Sequence, residues 1–498
     1  MWYYTRQCLH CPRIPWPILG DIFTLQRVIA GFTEYSDSQL VEYYNFIYKD
    51  KPIPSVFIDF RTGEGQLIIS DPEMVQEIYV TKAKYVDKYH RGKKFQHDLF
   101  GESILFDRTT EVQAMRRKRL STAFYKEKMT QNLNIIIKQT FNWVQGIKQD
   151  IKQGKNEREL GSMIGEHLLD CILTSVFGET KHKKFLKYII EGDNTEDASL
   201  TVIVSRIFIK LSRKPFRVFR LFTHSLDTWY IGEDEKNIHK NIINYRNMLS
   251  ELIYERRQAM KDPNFDGADF LTLLLTDDLY REDDNLIKDE ITTFLFASTQ
   301  TTAATITNLM YYLEFVPNVR QKLVDEICTM LSPDREKLLK IDQIDMTQEL
   351  WIEKLGYDKL QDDWKYLYLL IQETLRIEPP VRASTPLQLS EKQNICGIDI
   401  DTNITFQIHF YFLQRNPKEW QQPDKFIPER FDPESPFYLT PDGKKRKPNS
   451  FSPFFGGKRI CLGKTFAENF KKPIHYEKKV PKTFFNEINV PIILSTIK

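Results

Sequence analysis

The sequence predicts a mainly α-helical protein with small β-sheets, and three observations carry this prediction. Apolar residues recur at helical spacing in 364–376, and the stretches 165–178 and 284–315 have the pattern and length of further helices. Two short runs rich in strand-forming residues, 54–60 and 65–70, lie near the N-terminus. Hydrophobic residues make up 41% of the 498 residues, which is ordinary for a globular protein.

Charge and cysteine content exclude several classes of protein. Lys+Arg number 70 and Asp+Glu 68, so the formal net charge of +2 gives no support for a nucleic-acid partner. Basic runs such as 116–119 and 444–447 are typical of solvated faces. Six cysteines in a chain of this length do not form a disulfide framework, and the Cys8–Cys11 pair lacks the second pair that a zinc site needs. The composition therefore predicts a reduced, intracellular protein.

The N-terminal residues predict an extended arm rather than a membrane anchor. Residues 1–11 are too short and too polar for a signal peptide or a transmembrane helix. Prolines in 12–20 favour an extended backbone, so we expect 1–20 to be an arm with a proline-rich hinge. Residues 21–498 are predicted to form a single domain, whose part from about residue 470 is atypical.

Local patterns predict the other elements in chain order. Asp71 and Pro72 begin a helix, because proline suits the first helical turn. Residues 181–263 indicate helices and basic loops with interleaved phenylalanines, which suit either a pocket cover or contact with a membrane surface. Those phenylalanines are Phe216, Phe219 and Phe222. The remaining elements are a turn at Thr62–Gly63, a basic helix over 111–125, a β-hairpin formed by 394–400 and 402–409, and a long loop over 431–454.

Residues 454–463 point most directly to chemistry. They place Cys461 in a glycine-rich turn, whose backbone N–H groups can approach a sulfur atom closely. The helix expected after Gly463 would direct its positive end towards a thiolate. Phe454 can shield one side of a metal-bound sulfur, and Arg459 can bind an anionic cofactor edge. The alternative is a glycine-rich turn with an incidental buried cysteine.

This stretch matches the motif F-x-x-G-x-R-x-C-x-G at every specified position, namely Phe454, Gly457, Arg459, Cys461 and Gly463. It thereby resembles the haem-binding motif of the cytochrome P450 family, of the eukaryotic microsomal type. The resemblance implies the fold of that family and haem b (iron protoporphyrin IX) held by Cys461 as the axial thiolate. Under it, the domain over 21–498 is the catalytic domain.

The centre of the long helix carries a second motif, [AG]-G-x-[DE]-T-[TS]. Ala297, Thr301 and Thr302 match it, whereas Ser298 replaces the glycine and Gln300 the acid. The resemblance implies that Thr301 steers protons during oxygen activation, and with Gln300 another route must deliver them. Hydroxyl side chains can also bond back to carbonyl groups and open the helix locally. The alternative is a buried helix whose threonines satisfy themselves.

Two arginine motifs complete the resemblance. Glu373 and Arg376 lie three residues apart on one helix face, and the family pattern joins them to Arg430 in a triad that supports the haem site. An exposed pair at this spacing would contribute little.

Further residues are candidates for binding the haem propionates. Arg117 fits the family's W-x-x-x-R arginine, and Gln113 stands at the tryptophan position, where its amide can still donate to a carboxylate. Arg382, in the turn after the E-x-x-R helix, could reach a propionate as well.

The resemblance implies monooxygenation of a small apolar substrate by O₂. Electrons would come from NADPH-cytochrome P450 reductase or a similar donor, which docks on the basic face 116–119. Association with the endoplasmic reticulum membrane would be peripheral, given the missing anchor. Two alternatives stay open: a haem-thiolate isomerase or dehydratase, suggested by Ser298 and Gln300, and a non-catalytic haem-binding protein on the same fold.

The C-terminal part predicts an irregularity. A helix begins well at Lys464, but Pro473 interrupts it, and proline inside a helix costs about 3 kcal/mol or more. The apolar run 490–497 indicates displaced helix or core material. We therefore expect that 470–489 is a retained or misassigned segment and that sequence is lost after Lys498.

Overall fold

The computed structural model describes residues 9–11, 38–49, 51–60, 65–90, 92–124, 126–154, 157–178, 185–192, 194–213, 232–267, 269–331, 347–355, 363–464, 467 and 491–493. The chain divides into two compact units. Unit one comprises Met1–Asp87, Ile136–Ile164 and Thr301–Lys498, and unit two comprises Lys88–Ile135 and Gly165–Gln300.

Helices dominate the described residues, so the mainly α prediction with small sheets is confirmed. The α-helices are α1 Ser38–Tyr48, α2 Pro72–Gln76, α3 Gly92–Phe100, α4 Glu111–Leu120, α5 Lys126–Lys152, α6 Leu160–Phe177, α7 Leu200–Arg213, α8 Glu233–Ala259, α9 Phe270–Thr276, α10 Asp284–Phe315, α11 Val319–Leu331, α12 Gln348–Lys354, α13 Lys365–Ile377 and α14 Phe410–Leu413. The strands are β1 Val56–Asp59, β2 Gln66–Ile69, β3 Val86–Lys88, β4 Glu157–Glu159, β5 Phe185–Glu191, β6 Asn194–Ser199, β7 Leu387–Leu389, β8 Gln393–Ile395, β9 Ile398–Ile400, β10 Thr405–Ile408 and β11 Pro491–Ile493.

The main sheet has the strand order β1-β2-β10-β7-β3. β1 and β2 pair antiparallel as the sequence predicts, while the turn expected at Thr62–Gly63 lies outside the described residues. β10 pairs parallel to β2, with Phe406 beside Leu67. Buried side chains of these strands form one hydrophobic cluster with α2, which begins where the Asp71 carboxylate accepts the backbone N–H groups of Glu73 and Met74.

The hairpin predicted from 394–400 and 402–409 is wrong in its pairing. β8 and β9 pair with each other within the first segment, across Cys396 and Gly397. Both turn residues have positive φ, +48° and +80°, as a two-residue hairpin turn requires. The second segment, β10, joins the main sheet instead, because its apolar residues are buried there.

The helices and loops predicted for 181–263 are wrong over residues 185–199. β5 and β6 form an antiparallel hairpin there. The buried side chain of Asn241, in α8, forms two hydrogen bonds with the backbone of β5. Its Oδ1 accepts from Ile189 N and its Nδ2 donates to Ile189 O, both at 2.9 Å. A distant helix thus supplies the partner that local sequence does not reveal. Phe216, Phe219 and Phe222 lie outside the described residues.

Helix α10 runs unbroken from Asp284 to Phe315, so the local opening expected from its hydroxyl residues does not occur. The hydroxyl groups bond back along the helix: Ser298 donates to Phe294 O at 2.6 Å and Thr299 to Leu295 O at 3.0 Å. These bonds add to the backbone ladder without replacing it.

Other sequence expectations concern the ends of the chain and the membrane. Among the described residues, α6 has the length and composition to cross a membrane, but 61% of it is buried inside the protein, as in a core helix. Part of the apolar run 490–497 forms β11, which pairs antiparallel with β4. The segment 470–489 lies outside the described residues. The domain bounds 1–20 and 21–498 stay predictions.

Candidate functional site

The cysteine loop, residues 454–463 in unit one, is closed by a backbone hydrogen bond from Cys461 N to Phe454 O at 2.9 Å. Between these residues lies a 3₁₀ turn, Gly457–Arg459, and both Phe455 and Gly457 have positive φ, +62° and +60°. A non-glycine residue in this conformation is strained, so the loop is held by its surroundings. The loop presents Cys461 at the surface of the described chain.

The surroundings of the Cys461 sulfur suit a thiolate ligand. A Cβ atom placed on Gly463 would lie 4.0 Å from Cys461 Sγ, an ordinary van der Waals contact, so this glycine is a direct neighbour of the sulfur. Ala467 N donates to Gly463 O at 2.9 Å, which is the first hydrogen bond of a helix that starts beside the cysteine. Phe454 and Arg459 are half-buried at the ends of the same turn.

The structure brings Glu373, Arg376 and Arg430 together at a fully buried point of unit one. Glu373 accepts from Arg376 Nε at 2.6 Å and Nη2 at 2.8 Å, from Arg430 Nε at 3.2 Å, and from Ile427 N at 2.8 Å. Burial lowers the pKa of the Arg430 guanidinium. The Glu373 carboxylate therefore faces two buried positive charges, those of Arg376 and Arg430. Other N–H groups of the two guanidiniums donate to backbone carbonyls.

Gln414 connects this triad to Ser452, whose carbonyl accepts from Phe455 N of the cysteine loop at 3.2 Å. Sequence reasoning missed Gln414. Its buried amide donates to Leu375 O at 2.9 Å and to Arg376 O at 3.1 Å, and it accepts from Ser452 N at 3.1 Å. Arg376 Nη1 donates back to Gln414 O at 2.9 Å. A single glutamine after a short helix carries no sequence signal, because its role depends on segments that are distant in the chain.

Arg446 lies in the basic run that composition places in solvent, but its guanidinium is packed against aromatic rings. It lies 4.4 Å from the ring centroid of Trp420 and 5.8 Å from that of Phe431, and Nη2 donates to Arg430 O at 2.7 Å. Burial lowers the pKa of Arg446 to about 10. Such cation–π packing joins the long loop to the triad.

Arg382 is buried in unit one beside a second arginine. Its Nη2 donates to Glu378 Oε2 at 3.3 Å, and its guanidinium lies 4.6 Å above the Tyr411 ring. The Arg415 guanidinium lies 3.7 Å from the centroid of the same ring and 3.8 Å from Glu378 Oε1. The two guanidiniums thus share Glu378, and Arg415 Nε also lies 3.5 Å from Asp424 Oδ1.

Thr301 and Gln300 are consecutive residues of α10 and both are half-buried. Thr301 O accepts from the Thr305 hydroxyl at 2.9 Å. The neighbouring Thr302 hydroxyl is buried and has no hydrogen-bond partner among the described residues. This hydroxyl is therefore available to a water or a ligand.

Gln113 and Arg117 belong to unit two, on α4. Gln113 is 2% exposed, and its Nε2 atom has no hydrogen-bond partner within the described part of the chain. The residue lines a cavity of about 370 Å³ together with Arg116 and Lys93. A buried amide donor without a protein acceptor is costly, which fits a role in binding an oxygen atom of a ligand. Arg117 is half-buried on the same helix.

Two adjacent carboxylates of α10 hold the loop that leads to α4 in unit two. Asp289 Oδ2 accepts from Glu102 N at 2.9 Å, and Glu290 Oε1 accepts from Ile104 N at 3.2 Å. Arg246 binds Asp289 at 2.7 Å. Burial raises the pKa of both carboxyl groups, and that of Glu290 reaches about 8.

The raised pKa of Glu290 predicts that the folded protein loses stability as pH rises. The pKa of Glu290 is higher in the folded protein than in the unfolded chain. The protonated carboxyl therefore stabilises the fold fully below the ordinary pKa of 4.5, and this stabilisation is lost as pH rises to about 8. The charges facing it are Arg116, Asp289 and Asp107. We expect Glu290→Gln, which stays neutral, to remove a slope of about 1.4 kcal/mol per pH unit in unfolding free energy between pH 5 and 8. Urea titrations at several pH values measure this.

The exposed Glu282, whose side chain is 87% accessible, provides the control for that experiment. Glu282→Gln should leave the pH profile of unfolding unchanged. Equal profiles for the wild-type protein and the Glu290→Gln variant would contradict the prediction.

Comparisons with known proteins identify the family of the chain. The cytochrome P450 family model matches residues 10–470. The chain is 25% identical to cytochrome P450 3A6 of Oryctolagus cuniculus, over 88% of this chain and 84% of that protein. It is 26% identical to cytochrome P450 4V2 of Mus musculus, over 95% of this chain and 84% of that protein. The match spans nearly the whole sequence, and the chain belongs to the cytochrome P450 family.

Proposed function

We propose that this protein is a haem-thiolate monooxygenase that inserts one oxygen atom from O₂ into a small apolar substrate. Members of its family are haem- and iron-binding monooxygenases. The observation that carries the proposal for this chain is the cysteine loop, which presents an exposed Cys461 with Gly463 beside its sulfur. Every specified position of the haem-binding motif lies in that loop.

The motifs identify the residues that would hold haem b. Cys461 would be the axial thiolate, with Phe454 shielding the sulfur and Gly457 and Gly463 allowing the backbone to approach. The propionates would be bound by the arginines and the amide that the motifs identify, namely Arg459, Arg382, Arg117 and Gln113. The buried Nε2 of Gln113 supports this assignment, because a propionate oxygen would supply the acceptor that the described residues lack.

When bound, haem supplies the iron centre at which O₂ is reduced and cleaved. The chain's own residues bind, orient and manage protons. Thr301 would hold a proton-donating water with its hydroxyl, and Gln300 would bind that water without donating a titratable proton. Glu373, Arg376 and Arg430 would keep the cysteine loop in place through Gln414.

Electrons would come from NADPH-cytochrome P450 reductase or a similar donor. Lys118 and Arg119 are exposed on α4, with Arg119 Nε 3.8 Å from Asp277 Oδ2, whereas Arg116 is less exposed and donates to Glu102 O at 2.9 Å. The docking face would therefore rest on the exposed pair. Peripheral association with the endoplasmic reticulum membrane is proposed with it.

Reconstitution tests the function. The purified haem-loaded protein is mixed with the reductase, NADPH and a panel of fatty acids, sterols and aromatic compounds, chosen by their binding spectra. NADPH-dependent O₂ consumption with an oxygenated product supports monooxygenation. Conversion of a substrate without NADPH would favour an isomerase or dehydratase, the class that Ser298 and Gln300 suggest. A bound haem without any turnover would favour a binding protein.

Thr301→Ala should keep substrate binding but uncouple the reaction. Without the Thr301 hydroxyl, protons are no longer delivered in a controlled way, so more of the reduced oxygen is released as peroxide. We expect several-fold more peroxide per NADPH consumed. Peroxide and product are measured together. Thr305→Ala is the matched control, because the Thr305 hydroxyl already donates a hydrogen bond to Thr301 O. Unchanged coupling in Thr301→Ala would indicate that Gln300 marks a different proton path.

A further inference from the structure

Tyr79 lies directly against the first half of the cysteine loop. A Cβ atom placed on Gly456 would lie 2.4 Å from Tyr79 Cδ2, and one on Gly457 would lie 2.7 Å from Tyr79 O. Real Cβ atoms do not approach other atoms below 3.0 Å. The ring and the carbonyl of one residue therefore explain why both positions of the loop are glycine.

An unusual backbone presents this tyrosine. Residues Glu77–Thr81 form a π-helical turn that continues α2, with Lys82 N donating to Glu77 O at 2.7 Å. π-Helical turns are rare and are often found at functional sites.

The segment that carries Tyr79 contacts the long loop 431–454, which precedes Cys461, at two further points. Lys447 pairs with Glu73 at 2.7 Å, and Asn449 Nδ2 donates to Gln76 Oε1. The long loop before Cys461 is thus supported by residues 72–81 over its last part.

The Tyr79 side chain acts through its shape. It is 9% exposed and belongs to the cluster that includes Phe410, against which Phe455 packs edge-to-face at 5.0 Å. Its hydroxyl is buried without a hydrogen-bond partner among the described residues, and burial raises its pKa. The ring, and not the hydroxyl, is the part that meets the loop.

We propose that Tyr79 is a positioning residue for Cys461: its ring and carbonyl set the path of Gly456 and Gly457 and thereby keep the sulfur in place for iron ligation. This inference rests on the proposed haem-thiolate function. The turn Gly457–Arg459 leads directly to Cys461, whose N–H closes the loop on Phe454 O. A shift at Gly456 would be passed to the sulfur, since the 3₁₀ turn and the Cys461 N–Phe454 O hydrogen bond join the two positions.

The test uses the haem-loaded full chain, reduced and saturated with carbon monoxide. The readout is the ratio of the red-shifted thiolate Soret band to the band of the non-thiolate form, normalised to haem content so that unfolded protein does not count. We expect Gly456→Ala to lower this ratio roughly tenfold, since the new methyl group overpacks the contact with the ring. Tyr79→Ala should lower it several-fold, and Tyr79→Phe should keep it.

A double substitution provides the sharpest result. In Tyr79→Ala combined with Gly456→Ala, the methyl group occupies space that the ring has left, so the ratio should rise above that of Gly456→Ala alone. Tyr43→Ala is the matched control: this tyrosine is 0% exposed in a separate cluster of unit one and should lower the melting temperature without changing the ratio.

The outcomes separate the two hypotheses. A thiolate band in the wild-type protein that is unchanged in Tyr79→Ala, or additive effects in the double variant, would overturn the role of Tyr79 and leave the proposed function intact. A ratio lowered equally by Tyr43→Ala would overturn it as well. Absence of the thiolate band from the wild-type protein would overturn the proposed function and this inference together.

Discussion

Cys461→Ser is expected to abolish the red-shifted thiolate Soret band of the reduced carbon monoxide complex completely. A serine hydroxyl does not ionise at neutral pH, so it cannot replace the thiolate as an anionic axial ligand. The loop backbone should survive, because its closing hydrogen bond uses Cys461 N rather than the side chain. Absorption spectra of the reduced protein with and without carbon monoxide measure the effect.

Cys396→Ser is the matched control for this experiment. Cys396, in the turn between β8 and β9, is the other exposed cysteine among the described residues. Partial desolvation and the neighbouring Glu77 raise the pKa of its thiol to about 11. Its loss should leave the spectrum unchanged. Persistence of the thiolate band in Cys461→Ser would show that another residue binds the iron.

Glu373→Gln should destabilise the folded protein strongly. The substitution leaves the buried guanidiniums of Arg376 and Arg430 without their carboxylate, and breaking a buried ion pair costs about 3–5 kcal/mol. We expect haem content to fall in parallel, because Gln414 joins this point to the cysteine loop. Urea unfolding and the haem-to-protein ratio measure the two effects.

Glu429 offers a neighbouring control on the same side of the fold. It pairs with Lys322 at 2.6 Å, but the side chains are 30% and 53% accessible. Surface ion pairs contribute about 0–1 kcal/mol, so Glu429→Gln should change stability little. Equal losses of stability in Glu373→Gln and Glu429→Gln would mean that burial of the triad does not determine its contribution to stability.

The sequence alone determined the parts of this protein that depend on local patterns. The boundaries of α10 match the predicted 284–315, because an uninterrupted apolar pattern ends before a proline. The cysteine motif is contained within ten residues, so its glycine-rich turn follows from the local sequence. The exposure of the Cys461 thiol is seen only in the structure. The pairing of Glu373 with Arg376 depends on helical spacing in the same way.

The tertiary structure decided the features whose partners are distant in the chain. The hairpin over 185–199 is supported by Asn241, and β10 leaves its predicted partner for β2, which lies more than 300 residues earlier. Sequence patterns report the spacing of apolar residues, but not which distant backbone groups a strand will satisfy.

The same holds for the residues that support the cysteine loop. Tyr79 and Gln414 are unremarkable in the sequence, and only the fold places one against Gly456 and the other between Arg376 and Ser452. Glu290 likewise has a raised pKa only because α10 is buried at that point. Burial and hydrogen-bond partners are properties of the assembled chain, and for that reason the tertiary structure decided which residues support the cysteine loop, while a local motif identified Cys461 as the proposed ligand.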